Sequence, residues 1–404
     1  MDNSSGRATH AVGRVARPRR LGYTSLMQVE ILDGLARVDA AAWNLLVGDA
    51  SPFLEWGWLA SLEESGCVAP ASGWLPQHLV VADGGQWVGA CPLYLKGHSD
   101  GEFVFDHGWA EAAERGGIAY YPKLLVAVPF TPATGARFLV HPDADRAAVA
   151  STLAAALTAL CRRHELSSVH VNFCLPEEAA LLSTLGFERR VGFQFQWHNA
   201  AGWRSFDDYL GALRSKRRNQ VRREQRELAA QGIEIVALTG DEIPDAAFAP
   251  MFRLYLTTID KLYWGQRYLN ARLFDLLRQR WKHRLCFVLA RRQGTLVAGT
   301  MNVIKGPTMY GRYWGAFEEL RHLHFNVCYY AAIDFCLRRG LTRFEPGAGG
   351  SFKHLRGFDA RPTESMHFVR DPRLAAAVRR FLATERDAVA HEVEARDARS
   401  AFRR

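Results

Sequence analysis

The chain has 404 residues, room for two or three domains at the usual ~100–200 residues each. A hydrophobic content of 48%, with 23 Phe and 11 Trp, excludes a disordered chain, and no run approaches the ~18 uninterrupted apolar residues of a bilayer crossing. Basic residues exceed acidic ones by 51 − 42 = 9, a balance that suits an anionic partner such as nucleic acid or a phosphorylated substrate.

Residues 1–25 read as a flexible basic tail: Arg7, Arg14, Arg17, Arg19 and Arg20 stand there without the apolar core of a signal peptide. The seven cysteines are odd in number, form no C-x-x-C and have apolar neighbours. They read as buried thiols of a reducing compartment, which points to the cytoplasm, and not as a zinc site or a disulfide framework.

Next in order come a helix over 53–66 and a β-hairpin over 78–97, "HLVVADGGQWVGACPLYLKG". An insertion follows over 98–132, then a helix with a basic end, a turn and a strand over 157–173. The same succession returns later. A helix over 269–281 precedes a hairpin over 286–306, "CFVLARRQGTLVAGTMNVIKG", and residues 332–348 again read helix, turn, strand. Val88-Gly89-Ala90 answers Val297-Ala298-Gly299, and Lys96 answers Lys305. Two such units predict duplicated α/β domains, 26–196 and 197–390, each with a mixed sheet flanked by helices. The boundary falls near Gln196–Gly202. One long helix is expected from Phe206, capped by Ser205 or Asp207 and stopped by Gly232. The end, 391–404, reads as frayed.

Four stretches carry chemistry. From Arg214 to Arg226 seven cations face one carboxylate, Glu224, and Arg214, Arg218, Arg222 and Arg226 recur every four residues. Like charges at this spacing repel, so the pattern fits either phosphate binding or a solvated face with carboxylates from another element nearby. Second, Gly347, Gly349 and Gly350 follow a strand and precede Lys353 and Arg356, a set of donors that can hold a phosphate or a developing oxyanion. Third, "RYWGAF" has Arg312 and Gly315 of a pyrophosphate loop but Phe317 where a small residue belongs, which argues against acetyl-CoA. Trp314 suits a cleft wall or a core strand equally. Fourth, the insertion gathers His98, Glu102, Asp106, His107, Tyr120, Tyr121 and Lys123, a density that suits a pocket. No metal is expected there, because His98, Asp106 and His107 lack a recognised ligand spacing and a fourth ligand. Asp106 or Glu345 can serve as the base for an attacking amine, or can pair with the plentiful arginines.

The segments "KGHSDGEFVFDHGWAEAAERGGIAYYPKL" (96–124), "VPFTPATGARFLV" (128–140), "MYGRYWG" (309–315), "LHFNVCYYAAIDFC" (323–336) and "RFEPGAGGSFKHLRGF" (343–358) resemble the FemAB-like family of peptidoglycan biosynthesis/recognition. Members usually carry Glu where Asn326 stands, and the "FK..RGF" form leans toward the Fem ligases. The resemblance implies tandem GNAT-like domains and an amide-forming transferase. Its donor would be an aminoacyl-tRNA, and its acceptor a phosphorylated or amine-bearing small molecule such as a cell-wall precursor. It places Lys353 at the transfer site and Lys216 and Arg217 near substrate phosphates. No cofactor is required. The expected site is thus Lys353, Asp106 and Glu345 for chemistry, with Lys216, Arg217, Arg222, Arg312, Trp314, Arg356, Tyr121, Lys123 and His98 for binding. The alternatives are an acyl-CoA-dependent N-acyltransferase and a non-catalytic module that recognises a wall precursor or nucleic acid.

Overall fold

Apolar runs with Gly-bearing turns produce strands in two successive sets. The computed structural model describes residues 27–261 and 266–403, so the tail expected over 1–25 lies outside the described residues. The first set is β1 (Gln28–Leu32), β2 (Trp74–Pro76), β3 (His78–Asp83), β4 (Gln86–Cys91), β5 (Leu93–Lys96), β6 (Lys123–Val126), β7 (Leu139–Val140), β8 (Ser168–Cys174) and β9 (Glu188–His198). The second is β10 (Ile233–Thr239), β11 (Leu285–Arg292), β12 (Thr295–Lys305), β13 (Thr308–Ala316), β14 (Arg343–Glu345) and β15 (Asp359–Val369).

Both expected hairpins are present, β3–β4 and β11–β12. Each slips register just before its turn, between Val81 and Ala82 and between Ala290 and Arg291. In each unit an antiparallel run ends on a strand that pairs in parallel with the next, β6 with β8 and β13 with β14. The helix Arg146–Arg163 leads into β8, and the helix Ala331–Arg338 leads toward β14. The chain is therefore a tandem α/β protein with mixed sheets. In the first unit Pro92 interrupts the strand: β4 stays beside β3, whereas β5 joins β2 and β6 in the larger sheet. Proline has no N–H for a ladder, which accounts for the break.

Four departures from the sequence reading concern chain ends and joints. The C-terminal segment does not stay with its own unit. β15 inserts between β8 and β9, and the helix Pro372–Asp397 packs on β9 and β15. β9 is shared as well: Gln196 pairs with Asp359, and Trp197 and His198 pair with β14, so one eleven-stranded sheet runs through both units. The long helix is two, Phe206–Ala212 and Ser215–Ala229. Leu213 and Arg214 are extended because the chain end docks there: Leu213 bridges Phe402, and Arg214 N–H donates to Ala401. Ser205, not Asp207, caps the first helix. Of the end expected to fray, 391–403 is described and packs on the protein, with Ala401 buried and Phe402 stacked on Trp203.

The units meet through an apolar core that joins the helix Trp56–Glu64 to the helix Ala271–Arg280 and to β11–β13. Trp58 and Trp281 lie 4.9 Å apart there. Beside them Glu55 pairs with Arg284 at 2.7 Å and Lys305 at 3.0 Å. All seven cysteines are free thiols. Among the described residues no helix is long and apolar enough to cross a membrane.

Candidate functional site

β13 and β14 pair only as far as Tyr310 and Glu345. Pro346 cannot continue the ladder, and Gly347, Gly349 and Gly350 take φ of +83°, +72° and +81°, a backbone region open mainly to glycine. The chain therefore turns back, and the short helix Ser351–Arg356 returns Lys353 to the gap between the strands. A pocket of about 240 Å³ opens there, lined among others by Thr300, Asn302, Trp314, His324, Tyr329 and Lys353.

Lys353 is 3% exposed, and its Nζ donates to the carbonyls of Gly347 (2.7 Å) and Ala348 (3.3 Å). No carboxylate pairs with it among the described residues. Burial pushes its pKa down to about 8, which leaves it mainly a cation at neutral pH. An ammonium has three donors, so one remains for a ligand. His324, on the opposite wall, is held down to about 4 by burial and by the charges of Lys353 and Arg356, and is neutral at pH 7.

A second cavity of about 530 Å³ adjoins the first and shares Arg312, Tyr313, Trp314 and Ala348 with it. The pocket borders the core cluster of Phe344 and Tyr329, and this groove borders the cluster of Phe130 and Tyr255. Both are lined by the middle of β13, where a bulge sets the geometry. Met301 pairs with Tyr313 and Asn302 with Gly311, leaving Arg312 as the extra residue. The Arg312 guanidinium turns to the insertion and donates to the Phe130 carbonyl and the Thr131 hydroxyl. The "RYWG" segment thus lies within a strand and is not a loop that opens a helix. Trp314, half-buried, walls both cavities.

Glu345 lies between pocket-lining Phe344 and Pro346, itself lines neither the pocket nor the groove, and is 5% exposed. Burial raises its pKa to about 7, against the pull of Arg343 and Arg312. Its Oε1 lies 3.5 Å from Arg343 Nε, and its Oε2 has no hydrogen-bond partner among the described residues.

Arg356 is turned away from the pocket. Its Nη2 donates to both Glu224 oxygens (3.0 and 3.1 Å), its Nε donates to Tyr330 (2.8 Å), and its guanidinium lies 3.5 Å from the Phe325 ring centre. The substrate contact expected of it is replaced by a buried ion pair that joins the basic helix to the segment carrying Lys353.

The insertion also turns its charges inward. Lys123 is fully buried and donates to Ser99 (2.8 Å), Glu102 (2.9 Å) and Asp106 (2.5 Å). Burial alone would raise the Asp106 carboxyl, but Lys123 and His170 hold it well below the usual carboxylate range. A carboxylate so paired has little proton affinity, which corrects the expectation that Asp106 is a base. Lys123 is equally closed to substrate. Tyr121 is half-buried and bonds Ser99 at 2.8 Å, while His98 lies 3.5 Å from Asp100 beside a separate surface cavity. Neither lines the pocket or the groove.

On the helix Ser215–Ala229, Val221, Glu224 and Leu228 face the core, and Lys216 and Arg222 are exposed. Arg217 donates to Gln220, Gln220 to Glu224, and Arg222 lies 3.7 Å from Asp207. Among the described residues Lys216 and Arg226 have no ion pair. Thr300 and Asn302 were legible only as two polar residues alternating with buried Met301 and Val303, and the sequence reading passed over them. It also missed His324 and, Tyr313 and Trp314 apart, the groove aromatics Phe103, Phe105, Phe130, Tyr255 and Tyr268, which come from separate segments.

The family model described as peptidoglycan biosynthesis/recognition, FemAB-like, matches residues 34–404. The chain belongs to the FemAB-like family. Among solved structures this FemAB-like chain is similar to FemX at 10% identity and TM-score 0.53, over 87% of this chain and all of that one. It is also similar to a tandem GNAT protein from the clavulanic acid biosynthesis pathway, at 16% identity and TM-score 0.44, over 86% of this chain and 99% of that one. At these identities the likeness concerns the fold. No curated protein matches by sequence. Among the described residues no cluster of three or more His, Cys, Asp or Glu stands ready to hold a metal.

Proposed function

We propose that this FemAB-like protein is an amide-forming acyltransferase that moves an aminoacyl group from aminoacyl-tRNA to an amine. The observation that carries this reading is Lys353, a buried cation with no carboxylate partner among the described residues, held over a glycine-rich turn beside two adjoining cavities. An aminoacyl ester is already activated, so the protein must align two reactants, remove a proton and stabilise an oxyanion. The amine nitrogen attacks the ester carbon and the carbonyl electrons move onto oxygen, where Lys353 donates its free N–H. Glu345, poised near neutrality, takes the proton from nitrogen through a water. Collapse forms the C–N bond and breaks the C–O bond, and the proton ends on the leaving hydroxyl. The exposed Lys216, Arg222 and Arg226 stand on the helix that Glu224 ties to the segment carrying Lys353, and they suit the phosphates of an RNA.

The test offers labelled aminoacyl-tRNA and labelled acyl-CoA separately, with and without ribonuclease. Amide product from the tRNA donor that disappears with ribonuclease supports the reading. Product from acyl-CoA alone overturns the donor assignment, and no product from either donor leaves a recognition module.

A further inference from the structure

We infer that the amine acceptor is an amphiphile whose alkyl chain lies in the 530 Å³ groove, with its amine at the Tyr313–Trp314 end. The inference rests on the acyltransfer reading and extends it to the class of acceptor. The groove is of a size that holds a small molecule. Its wall is built from Phe103, Phe105, Phe130, Ile259 and Tyr268. Among its described lining residues there is no carboxylate, and the one cation, Arg312, has an Nη committed to Phe130 and Thr131. Polar groups do line it, among them Thr258, Gln266, Arg312 and Tyr313, but Phe103, Phe105, Phe130 and Ile259 present apolar surface that an alkyl chain covers and a phosphate-rich acceptor does not. Phe105 is 63% exposed at the rim, an exposure of a large ring that monomeric proteins usually reserve for contact with a ligand. The groove adjoins the Lys353 pocket, with four lining residues in common, so a chain seated in it has its head group beside the transfer site. The reaction is unchanged: the head-group nitrogen gains the acyl carbon, the donor's C–O bond breaks, and the amine proton ends on the leaving hydroxyl.

The experiment is calorimetric titration of the full chain with butylamine, octylamine and dodecylamine below their micelle-forming concentrations. Affinity should rise steeply with length, by up to about fourfold per buried methylene. Phe105→Asp and Ile259→Asp, checked for wild-type circular dichroism, should weaken dodecylamine at least tenfold. Phe105 is largely exposed, so its variant keeps the fold even if the other does not. Equal affinity for the three amines, or wild-type binding by a folded Phe105→Asp, overturns the inference. Binding needs no turnover, so the two claims fail separately. Chain-length-dependent binding without amide formation from any donor removes the acyltransfer reading and leaves the groove assignment. Transfer to short or sugar amines without chain-length dependence does the reverse.

Discussion

Arg356→Met discriminates between two roles for one residue, a grip on substrate and a structural tie. The structure supports the tie: two hydrogen bonds of 3.0 and 3.1 Å to Glu224, a third to Tyr330, and side chains of both ionic partners 3% exposed. Glu224 also accepts from Gln220 and Tyr330, and these bonds with Arg356 outweigh burial and hold its carboxyl below the ordinary value. Removing the cation leaves that carboxylate buried without its main partner, at a cost of about 3–5 kcal/mol. At ~2–4 °C per kcal/mol for a unit of this size, the melting temperature should fall by roughly 6–20 °C. The double variant Arg356→Met, Glu224→Leu should recover at least about 1 kcal/mol relative to additivity, because no charge is then orphaned. Scanning calorimetry of wild type, both singles and the double reads all of this. An Arg356→Met protein that melts within about 1 °C of wild type while its KM rises tenfold would refute the tie and restore the guanidinium to the substrate.

Other consequences follow from the same geometry. Glu345 binds its proton up to about pH 7 in the fold but only to its ordinary 4.5 in the unfolded chain. Between these values the native state holds more protons, so its contribution to stability is lost as pH rises, by on the order of 3 kcal/mol; Glu345→Gln should flatten that decline in pH-dependent melting curves, and an unchanged slope would assign it elsewhere. Lys216→Glu with Arg217→Glu should leave the melting temperature unchanged and weaken tRNA binding at least tenfold, with a salt slope shallower by about two. Equal affinity would make the helix a solvated face only.

Local patterns carried much of this architecture into the sequence. The hairpins, the repeated helix–strand and the turn before Lys353 depend on neighbours within a dozen residues, and all were readable. What escaped depends on distant pairing. Nothing in 359–369 says that β15 leaves its unit to lie between β8 and β9, and the break at Leu213–Arg214 exists because Ala401 and Phe402 dock there. The insertion misled for a related reason. A dense run of Glu102, Asp106 and Lys123 looks alike whether its charges face a ligand or each other, and here they face each other. The groove, assembled from the insertion, the helix Phe248–Ile259, the segment before the helix Ala271–Arg280 and β13, leaves no contiguous trace.

The most direct measurement is single-turnover amide formation by wild type and Lys353→Met at pH 7 and pH 9. With a Lys353 pKa of about 8, the charged fraction falls from about nine-tenths to about one-tenth over that span, while the Glu345 carboxylate rises from about half to nearly all, so the wild-type rate should drop about fivefold. Lys353→Met orphans no carboxylate and should melt close to wild type. It should lose roughly 100–1000-fold in rate at pH 7, the cost of one oxyanion donor, and lose the falling limb, keeping only the rise of about twofold from Glu345 between pH 7 and 9. A folded variant with wild-type turnover, or one that loses only affinity, would contradict the account.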